Sequence, residues 1–562
     1  MMTRVFVIRV TTALLASFLS SSFSWGQTAG RLLDHLDKQR QEQRINEELQ
    51  DVQRRQQQYQ KQQELEENKE TSPDPKRSLS FEKITFTNND GVSRQLENEL
   101  SRTYLHRPLD AAGILEVVRA ATNRLIEKGY STSLVSLVAI KPAERELVLE
   151  IRYGHIGDIY LNGKKDSFGI ALSCPMDSGD RFNIYDIDTT IDNLKTVSDQ
   201  ATVSVKPSDK AGYSDLYFSQ SIRGFDGRIS FDNSGSRTLG EYKAAASLSL
   251  NNLLGLNDSF FLYANVGLLE NMSDNRSNVF AAGYSLPIGK WNIGYNFQLS
   301  DSETLVHGAY SKYSYLAQTY KHILSIKKTA WRNQTSKLTL LGDFTVRENR
   351  NEVDDIRLVT SSGSFASVAI GAEYTTTLLG GFLYSAFEYR RGIEAFGSKS
   401  ELPDSYYTPL YDKFSLNVSY QKLFVAGKSA YVTYRGNLGA SYSDDDLLYD
   451  DKFLVGDEYT VRGFKESSVA WDYGLYINNT LSLQILSSNA LLSALEPFVG
   501  IDFGYGKDYL LGAPDQLWGV AIGVKARYRA FSMAFTASKA LHKSDNMPYE
   551  RLPIYFTMSA FF

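Results

Sequence analysis

The C-terminal part of the chain is written with a period of two. Trp518-Gly519-Val520-Ala521-Ile522-Gly523-Val524-Lys525-Ala526-Arg527-Tyr528 alternates large apolar residues with small or polar ones, and Trp291-Asn292-Ile293-Gly294-Tyr295-Asn296-Phe297-Gln298-Leu299 does the same. Phe531, Met533 and Phe535 alternate with Ser532, Ala534 and Thr536. One face of each segment is greasy; the other carries Gly, Asn, Gln, Ser, Lys and Arg. A strand sends successive side chains to opposite faces, so these segments read as long strands with one oily side. Long strands with bulky apolar groups opposed by small polar ones suit a lipid-facing exterior and a wet interior. Backbone groups in lipid must all be paired, and a sheet achieves that only by closing on itself.

Composition agrees. The chain has 35 Tyr, 30 Phe and 5 Trp, yet only eight of the Tyr, eight of the Phe and one Trp precede residue 222. Trp518 and Tyr528 stand at the two ends of one segment, where interfacial aromatics belong. The mean hydropathy is -0.30. With no long apolar run in the mature chain, that excludes a helical membrane protein, whereas alternating strands average to mild hydrophilicity. A membrane strand of about 10 residues plus its connection divides residues 222–562 into about 16 strands. The pattern therefore predicts a transmembrane antiparallel β-barrel over 222–562, ending on the strand Ile554 to Phe562.

The N-terminus sets the compartment. Arg4 and Arg9 precede an apolar stretch from Val10 to Phe18, and Ser24-Trp25-Gly26 supplies small residues for cleavage. Residues 1–26 read as a secretory signal peptide. Residues 27–78 hold twelve Gln among many charges, and prolines enter only at Pro73 and Pro75. Such a segment has no core of its own, but its residues are good helix formers. Leu32, Leu33 and Leu36 fall on one face. The expectation is a polar helix starting near Gly30, suited to a wet pore, followed by a linker. The single cysteine, Cys174, has no partner for a disulfide and excludes a cysteine-based zinc site.

Residues 79–153 read as β-α-α-β-β. Phe81, Ile84 and Phe86 suggest a strand. Helices follow over 94–102 and 109–128, the second stopped by Gly129, and then strands over 134–138 and 146–151. Residues 154–221 repeat the order, with strands over 155–161, 201–205 and 213–218 and helices over 168–172 and 184–196. Each unit predicts an exposed sheet edge able to accept an extended peptide.

Several function classes fall away. The net charge is -5, with no basic domain of the kind nucleic-acid binders carry. The six His lie scattered at 35, 106, 155, 307, 322 and 542, none in a catalytic string. Asp444-Asp445-Asp446 lacks the spaced ligands of a calcium loop. No catalytic residue, metal site or cofactor is expected.

Five ordered motifs carry a resemblance. They are Phe231-Asp232-Asn233-Ser234-Gly235-Ser236-Arg237-Thr238-Leu239-Gly240, Asn252-Leu253-Leu254-Gly255-Leu256-Asn257-Asp258, Tyr389-Arg390-Arg391-Gly392-Ile393, Val461-Arg462-Gly463-Phe464 and Gly500-Ile501-Asp502-Phe503-Gly504. Together with the domain order, they make the chain resemble the TpsB transporters of two-partner secretion, of the haemolysin-activator and filamentous-haemagglutinin type. These belong to the outer-membrane barrels with periplasmic POTRA modules. The resemblance implies two POTRA modules (79–153 and 154–221), a plug helix and linker within 27–78, and a barrel in the outer membrane of a Gram-negative bacterium. It implies export of a large β-helical exoprotein whose N-terminal secretion domain is recognised unfolded. The transporter itself would be a monomer among outer-membrane lipids. An insertase of the same superfamily is the alternative, although insertases commonly carry more modules. By the same resemblance, Val461 to Phe464 lie on the sixth extracellular loop, folded inward, and Gly500, Asp502 and Gly504 on the thirteenth strand.

Parity sharpens that last point. Val499, Ile501, Phe503 and Tyr505 form a greasy set, so Asp502 faces the lumen between two glycines that leave a shallow trough. A loop folded back into the barrel would bring the Arg462 guanidinium to that carboxylate, with Phe464 alongside. A planar guanidinium can engage a carboxylate with two parallel bonds.

Overall fold

The computed structural model describes residues 33–43, 45–46, 78–105, 107–165, 167–235, 240–268, 275–307, 312–401, 407–427, 430–486, 494–545, 547 and 550–562. The expected signal peptide, the expected start of the polar helix near Gly30, the expected linker through Ser72-Pro73-Asp74-Pro75 and Ser236 to Leu239 of the first motif lie outside these residues.

Residues 33–43 and 45–46 are helical and form α1. The first α+β module follows: β1 (Lys83–Phe86), α2 (Gly91–Tyr104), α3 (Ala111–Glu127), β2 (Leu134–Lys141) and β3 (Glu146–Arg152). Asp90 starts α2 with a capping box: its carboxylate accepts the Ser93 N–H, and the Ser93 hydroxyl accepts the Asp90 N–H. The apolar stripes Leu96/Leu100 and Val117/Ala121/Leu125 pack against Ile84, Leu147 and Leu149 of the sheet. The strand order is β1-β3-β2, with β1 parallel to β3. This leaves β2 as an open edge.

The second module contains β4 (His155–Leu161), β5 (Lys164–Lys165), α4 (Phe168–Ser173), α5 (Ile184–Lys195), β6 (Ser198–Pro207) and β7 (Tyr213–Ile222). Its sheet runs β5-β4-β7-β6. The two modules are bonded together. The Tyr185 hydroxyl donates to the Glu127 carbonyl at 2.6 Å, and Arg181 stacks on Tyr153 and pairs with Asp90 at 3.0 Å. Partial burial works against the ionised form of Asp90. The Ser93 N–H and the Tyr153 hydroxyl, with Arg181 nearby, outweigh it and hold this carboxyl below its usual range.

The barrel has sixteen antiparallel strands in sequence order: β8 (Phe225–Asp232), β9 (Tyr242–Asn251), β10 (Ser259–Leu268), β11 (Arg276–Ile288), β12 (Trp291–His307), β13 (Lys312–Arg332), β14 (Lys337–Val353), β15 (Gly363–Leu378), β16 (Gly381–Ile393), β17 (Asp412–Val425) and β18 (Ala430–Tyr442). A small hairpin, β19 (Phe453–Val455) and β20 (Val469–Trp471), interrupts the series. The wall resumes with β21 (Tyr473–Leu486), β22 (Ala494–Lys507), β23 (Asp515–Tyr528), β24 (Phe531–His542) and β25 (Ile554–Phe561). Parity holds along the wall: Ile522, Ile501 and Val499 are exposed to lipid, whereas Asp502, Gln298 and Ser300 point inward and are buried.

β8 and β25 close the ring through five residue pairs, from Arg228 with Phe561 to Asp232 with Thr557. Gly227 and Phe562 extend the seam by exchanging backbone bonds at 2.9 and 3.0 Å. The Phe562 ring lies where a side chain on Gly227 would stand, so the terminal aromatic needs a glycine opposite.

The second module docks on the periplasmic turns. The turn Asn252–Asp258, read from sequence as a family motif, does the work. Asn257 donates to the Gly169 carbonyl and the Ser173 hydroxyl at 3.1 and 2.9 Å, and accepts from Gln220 at 2.9 Å. Asn193 donates to the Ser173 and Gly289 carbonyls, both at 2.7 Å, and Arg332 on the barrel pairs with Asp192 at 2.9 Å. Asn193→Ala removes the Gly289 bond across the junction, and the Ser173 bond within the module, from a helical position where Ala is favourable. It should weaken this docking by about 1–3 kcal/mol. Limited proteolysis should then cut faster between module and barrel, while the thermal unfolding of the barrel stays unchanged.

Candidate functional site: the inward-folded loop and the lumenal helix

Residues 443–472 connect β18 to β21 and turn into the lumen. Within this loop Val461, Arg462 and Phe464 are buried at 0%, 5% and 1% exposure. Arg462 makes a fork with Asp502 on β22: Nε donates to Oδ2 at 2.7 Å and Nη2 to Oδ1 at 2.6 Å. The Arg462 backbone N–H adds a third bond to Oδ2 at 2.9 Å. Two of the three remaining guanidinium hydrogens are used by the Thr480 hydroxyl at 3.0 Å and the Asn479 carbonyl at 2.7 Å. Four bonds on the guanidinium, with Asp502 accepting at both oxygens, make this burial tolerable; stripping either partner leaves a charge in a confined space.

The glycines provide the room. A Cβ on Gly500 would lie 2.1 Å from Arg462 Nη2, and one on Gly504 would lie 3.1 Å from Val461. On the neighbouring strand, a Cβ on Gly519 would lie 1.6 Å from the Arg462 carbonyl oxygen. Gly463 has a φ of 113, a left-handed value that turns the chain immediately after the arginine. Phe464 then packs with Val455, Val461, Trp471 and Leu517. The motifs 461–464 and 500–504 are thus in direct contact. Tyr389 to Ile393 lie on β16, away from this pair; there Arg390 bonds Glu388 at 3.0 Å.

Helix α1 sits inside the barrel. Leu33 and Leu36 pack on Ala245, Tyr263, Val279 and Ala281, a patch of small and aromatic residues on β9 to β11. Its polar side is bonded to the wall and to the loop. Asp37 accepts from Lys321 at 2.9 Å and from Gln298 at 2.8 Å. Lys38 pairs with Asp34 at 2.9 Å and with Asp457 of the loop at 2.8 Å, and also donates to the Leu454 carbonyl at 3.0 Å. His35 lies 5.3 Å from the Tyr459 ring. The lumen between helix and wall keeps a cavity of about 710 Å³, lined by Lys327, Glu373, Arg390 and Lys413 among others.

Four further anchors involve partners outside the sequence motifs. Asp451, near the start of the loop, accepts both Arg347 nitrogens at 3.0 and 2.8 Å and the Tyr411 hydroxyl at 2.9 Å. Buried Lys452 pairs with Asp472 at 2.9 Å and Asp508 at 3.0 Å. Glu550 accepts the backbone N–H of Lys465 at 2.9 Å and of Glu466 at 3.0 Å, while the Lys465 ammonium pairs with Glu241. The Tyr555 hydroxyl donates to the Phe464 carbonyl at 2.6 Å.

Arg462→Ala and Asp502→Ala should free the loop to a similar extent. The cost is about 3–5 kcal/mol in a dry site and less where lumenal water reaches the stranded charge. A double-mutant cycle read by protease cutting within 456–468 should be less than additive. Additive effects would show that the two residues do not hold each other.

Residues 212–526 match the family described as haemolysin secretion/activation protein ShlB/FhaC/HecB, and residues 79–154 match the ShlB-type POTRA domain. The outer membrane transporter CdiB of Dickeya dadantii is 27% identical over 467 residues, covering 82% of each chain. The hemolysin transporter protein ShlB of Serratia marcescens is 24% identical over 398 residues, covering 70% of this chain and 69% of its own. The solved structure of CdiB from Escherichia coli superposes with a TM-score of 0.79 at 23% identity, over 91% of this chain and 98% of that one, and so shares the fold. The closed sixteen-stranded barrel, the POTRA module and the matched family agree: this chain belongs to the ShlB/FhaC/HecB haemolysin secretion/activation family, the outer-membrane transporters of two-partner secretion, with its POTRA domains in the periplasm.

Proposed function

We propose that this transporter captures an unfolded, β-helix-forming exoprotein at the open edge of its first module and passes it through the barrel once α1 and the tip of the inward loop have moved aside. The observation that carries the reading is the edge strand β2. Leu134, Leu137, Val138 and Ile140 on that strand are all exposed, at 49%, 42%, 50% and 38%. Apolar side chains beside unpaired backbone N–H and C=O groups form a template for a strand from another chain. A bulge between Leu137 and Ala139 keeps the edge irregular, which discourages flat self-pairing.

The lumen supports the second half of the reading. Among its described residues, helix α1 is held by short polar side-chain bonds and by two buried leucines, Leu33 and Leu36. Exposed or wet ion pairs contribute little each, so such a filler is removable. Growth of a β-helix outside buries apolar surface and pairs strand edges, which biases the moving chain outward without a nucleotide. The secretion domain at the exoprotein's N-terminus is the segment that engages the modules, and the transporter works as a monomer surrounded by outer-membrane lipids. No step calls for a catalytic residue.

Deleting residues 79–153 should abolish secretion of the exoprotein encoded beside the transporter gene, while a heat-modifiable barrel still reaches the outer membrane. Secretion at the wild-type level by this variant would overturn the reading.

Removing residues 27–60 should raise single-channel conductance in planar bilayers severalfold and leave secretion in place. Unchanged conductance would show that α1 does not fill the pore.

A further inference from the structure

We infer that the inward loop works in two parts: a base, residues 447–455 and 469–472, that stays fixed to the barrel throughout export, and a tip, residues 456–468, that alone swings away. The inference rests on the reading that the loop unblocks the lumen, and it specifies which part moves.

The base is fixed on two sides. Towards β14 and β17, the Arg347 fork grips the Asp451 carboxylate and Lys413 Nζ donates to the Asp451 carbonyl at 2.6 Å. Asn349 donates to Asp450 at 2.6 Å. Towards β21 and β22, Asp472 accepts the Leu447 N–H at 3.0 Å, the Lys452 ammonium at 2.9 Å and the Tyr509 N–H at 2.8 Å. The two limbs are tied by the β19–β20 pairs, Phe453 with Trp471 through Val455 with Val469. Trp471 is fully buried, and its ring fills the space above Gly474 and Gly506. All these partners lie on the barrel wall, on its connecting loops or within the base itself. Apart from the Lys38 bond to the Leu454 carbonyl, none is on α1.

The tip is built differently. It begins at Gly456, whose φ of 107 puts a left-handed bend at the border with the base. Beyond it the chain is braced on itself: Asp457 Oδ1 accepts the Tyr459 and Thr460 N–H groups at 2.9 and 2.8 Å, and the Thr460 hydroxyl accepts the Gly456 N–H at 2.9 Å. Such a turn keeps its shape when it moves. Its ties to the wall include Arg462 with Asp502, Thr480 and Asn479, Asn478 with the Thr460 carbonyl, the Lys465 ammonium with Glu241, the Lys465 and Glu466 N–H groups with Glu550, and Tyr555 with the Phe464 carbonyl. The tip is also where α1 is anchored, through Lys38 with Asp457 and the contact of His35 with Tyr459. Departure of α1 therefore removes a cation from Asp457 and leaves the base clamps intact. The tip, with Tyr459 and Arg462, also forms one side of the lumenal cavity lined by Arg435, Lys525 and Tyr555.

The two forks have opposite polarity. At the base the loop supplies the acid and the wall the arginine; at the tip the loop supplies the arginine and the wall the acid. Neither fork can therefore be satisfied by the other's partner, which keeps the loop in register when the tip returns.

Two cysteine pairs in a Cys174→Ser background test this, each closed in cells with a short, reversible bifunctional thiol reagent. Asn349→Cys with Asp450→Cys ties the base to the wall, and Lys465→Cys with Glu550→Cys ties the tip. Secretion of the exoprotein encoded beside the transporter gene is the readout, and heat-modifiability verifies the barrel. Closing the base pair should leave secretion at the level of the uncross-linked variant. Closing the tip pair should abolish it, and reductant should restore it. Loss of secretion on closing the base pair would overturn the two-part loop while preserving the reading that the loop moves. Full secretion with the tip pair closed would overturn that reading, and this inference with it.

Discussion

A backbone N–H or C=O facing hydrocarbon has no water to bond, and every other feature of this molecule follows from that. The sheet must close, so the last strand has to find the first. A closed ring of sixteen strands is too wide for its own side chains to fill, so the interior is wet and its wall is polar. What occupies such an interior cannot be held as a hydrophobic core is held. The helix is seated mainly by charged groups with a small apolar foothold at Leu33 and Leu36, and the loop by charged groups together with an apolar cluster around Val461, Phe464 and Trp471. Ionic bonds of this kind are directional, specific in register and exchangeable for water.

That balance suits a component that has to be stable when closed and able to open. Buried charge pairs contribute more to uniqueness of arrangement than to net stability, and removing one partner costs more than making the pair gained. The Arg462–Asp502 fork has this character: five bonds converge on one guanidinium and its backbone N–H, at a place where Gly500 and Gly519 have cleared the wall. The periplasmic modules are organised on another basis. Each has an apolar core between helices and sheet, and their contacts with each other and with the barrel turns are closely bonded. The movement proposed for export is accordingly assigned to the lumenal helix and loop.

The sequence made the barrel legible because strand parity is a strictly local signal: Ile501 and Asp502 are neighbours, and their opposite characters declare two faces. The modules were legible from the same kind of evidence, apolar periodicity interrupted by Gly129. Inward-facing Asp502 was readable from parity, but its connection with Arg462 came through family resemblance, since 40 positions separate them. The Arg347–Asp451 fork spans 104 positions and Lys38–Asp457 spans 419. No periodicity links such residues. Each alone reads as an ordinary polar group, and only the closed ring brings them together. The apolar foothold of α1 was half legible: Leu33 and Leu36 share a face, but the small-residue wall that receives them is assembled from three strands.

The short seam between β8 and β25 has a temporal meaning. Arg228 and its partner Ser559 are 331 positions apart, and Phe562 also takes part in the closure. The ring cannot be completed before β25, the sixteenth strand of the wall, has arrived. Until then two long strand edges stay open, in a chain whose outward faces already carry bulky apolar groups. Pairings this distant in sequence are slow to form, and unfinished sheets with open edges associate with one another. Closure of the ring is thus set in competition with aggregation until β25 meets β8.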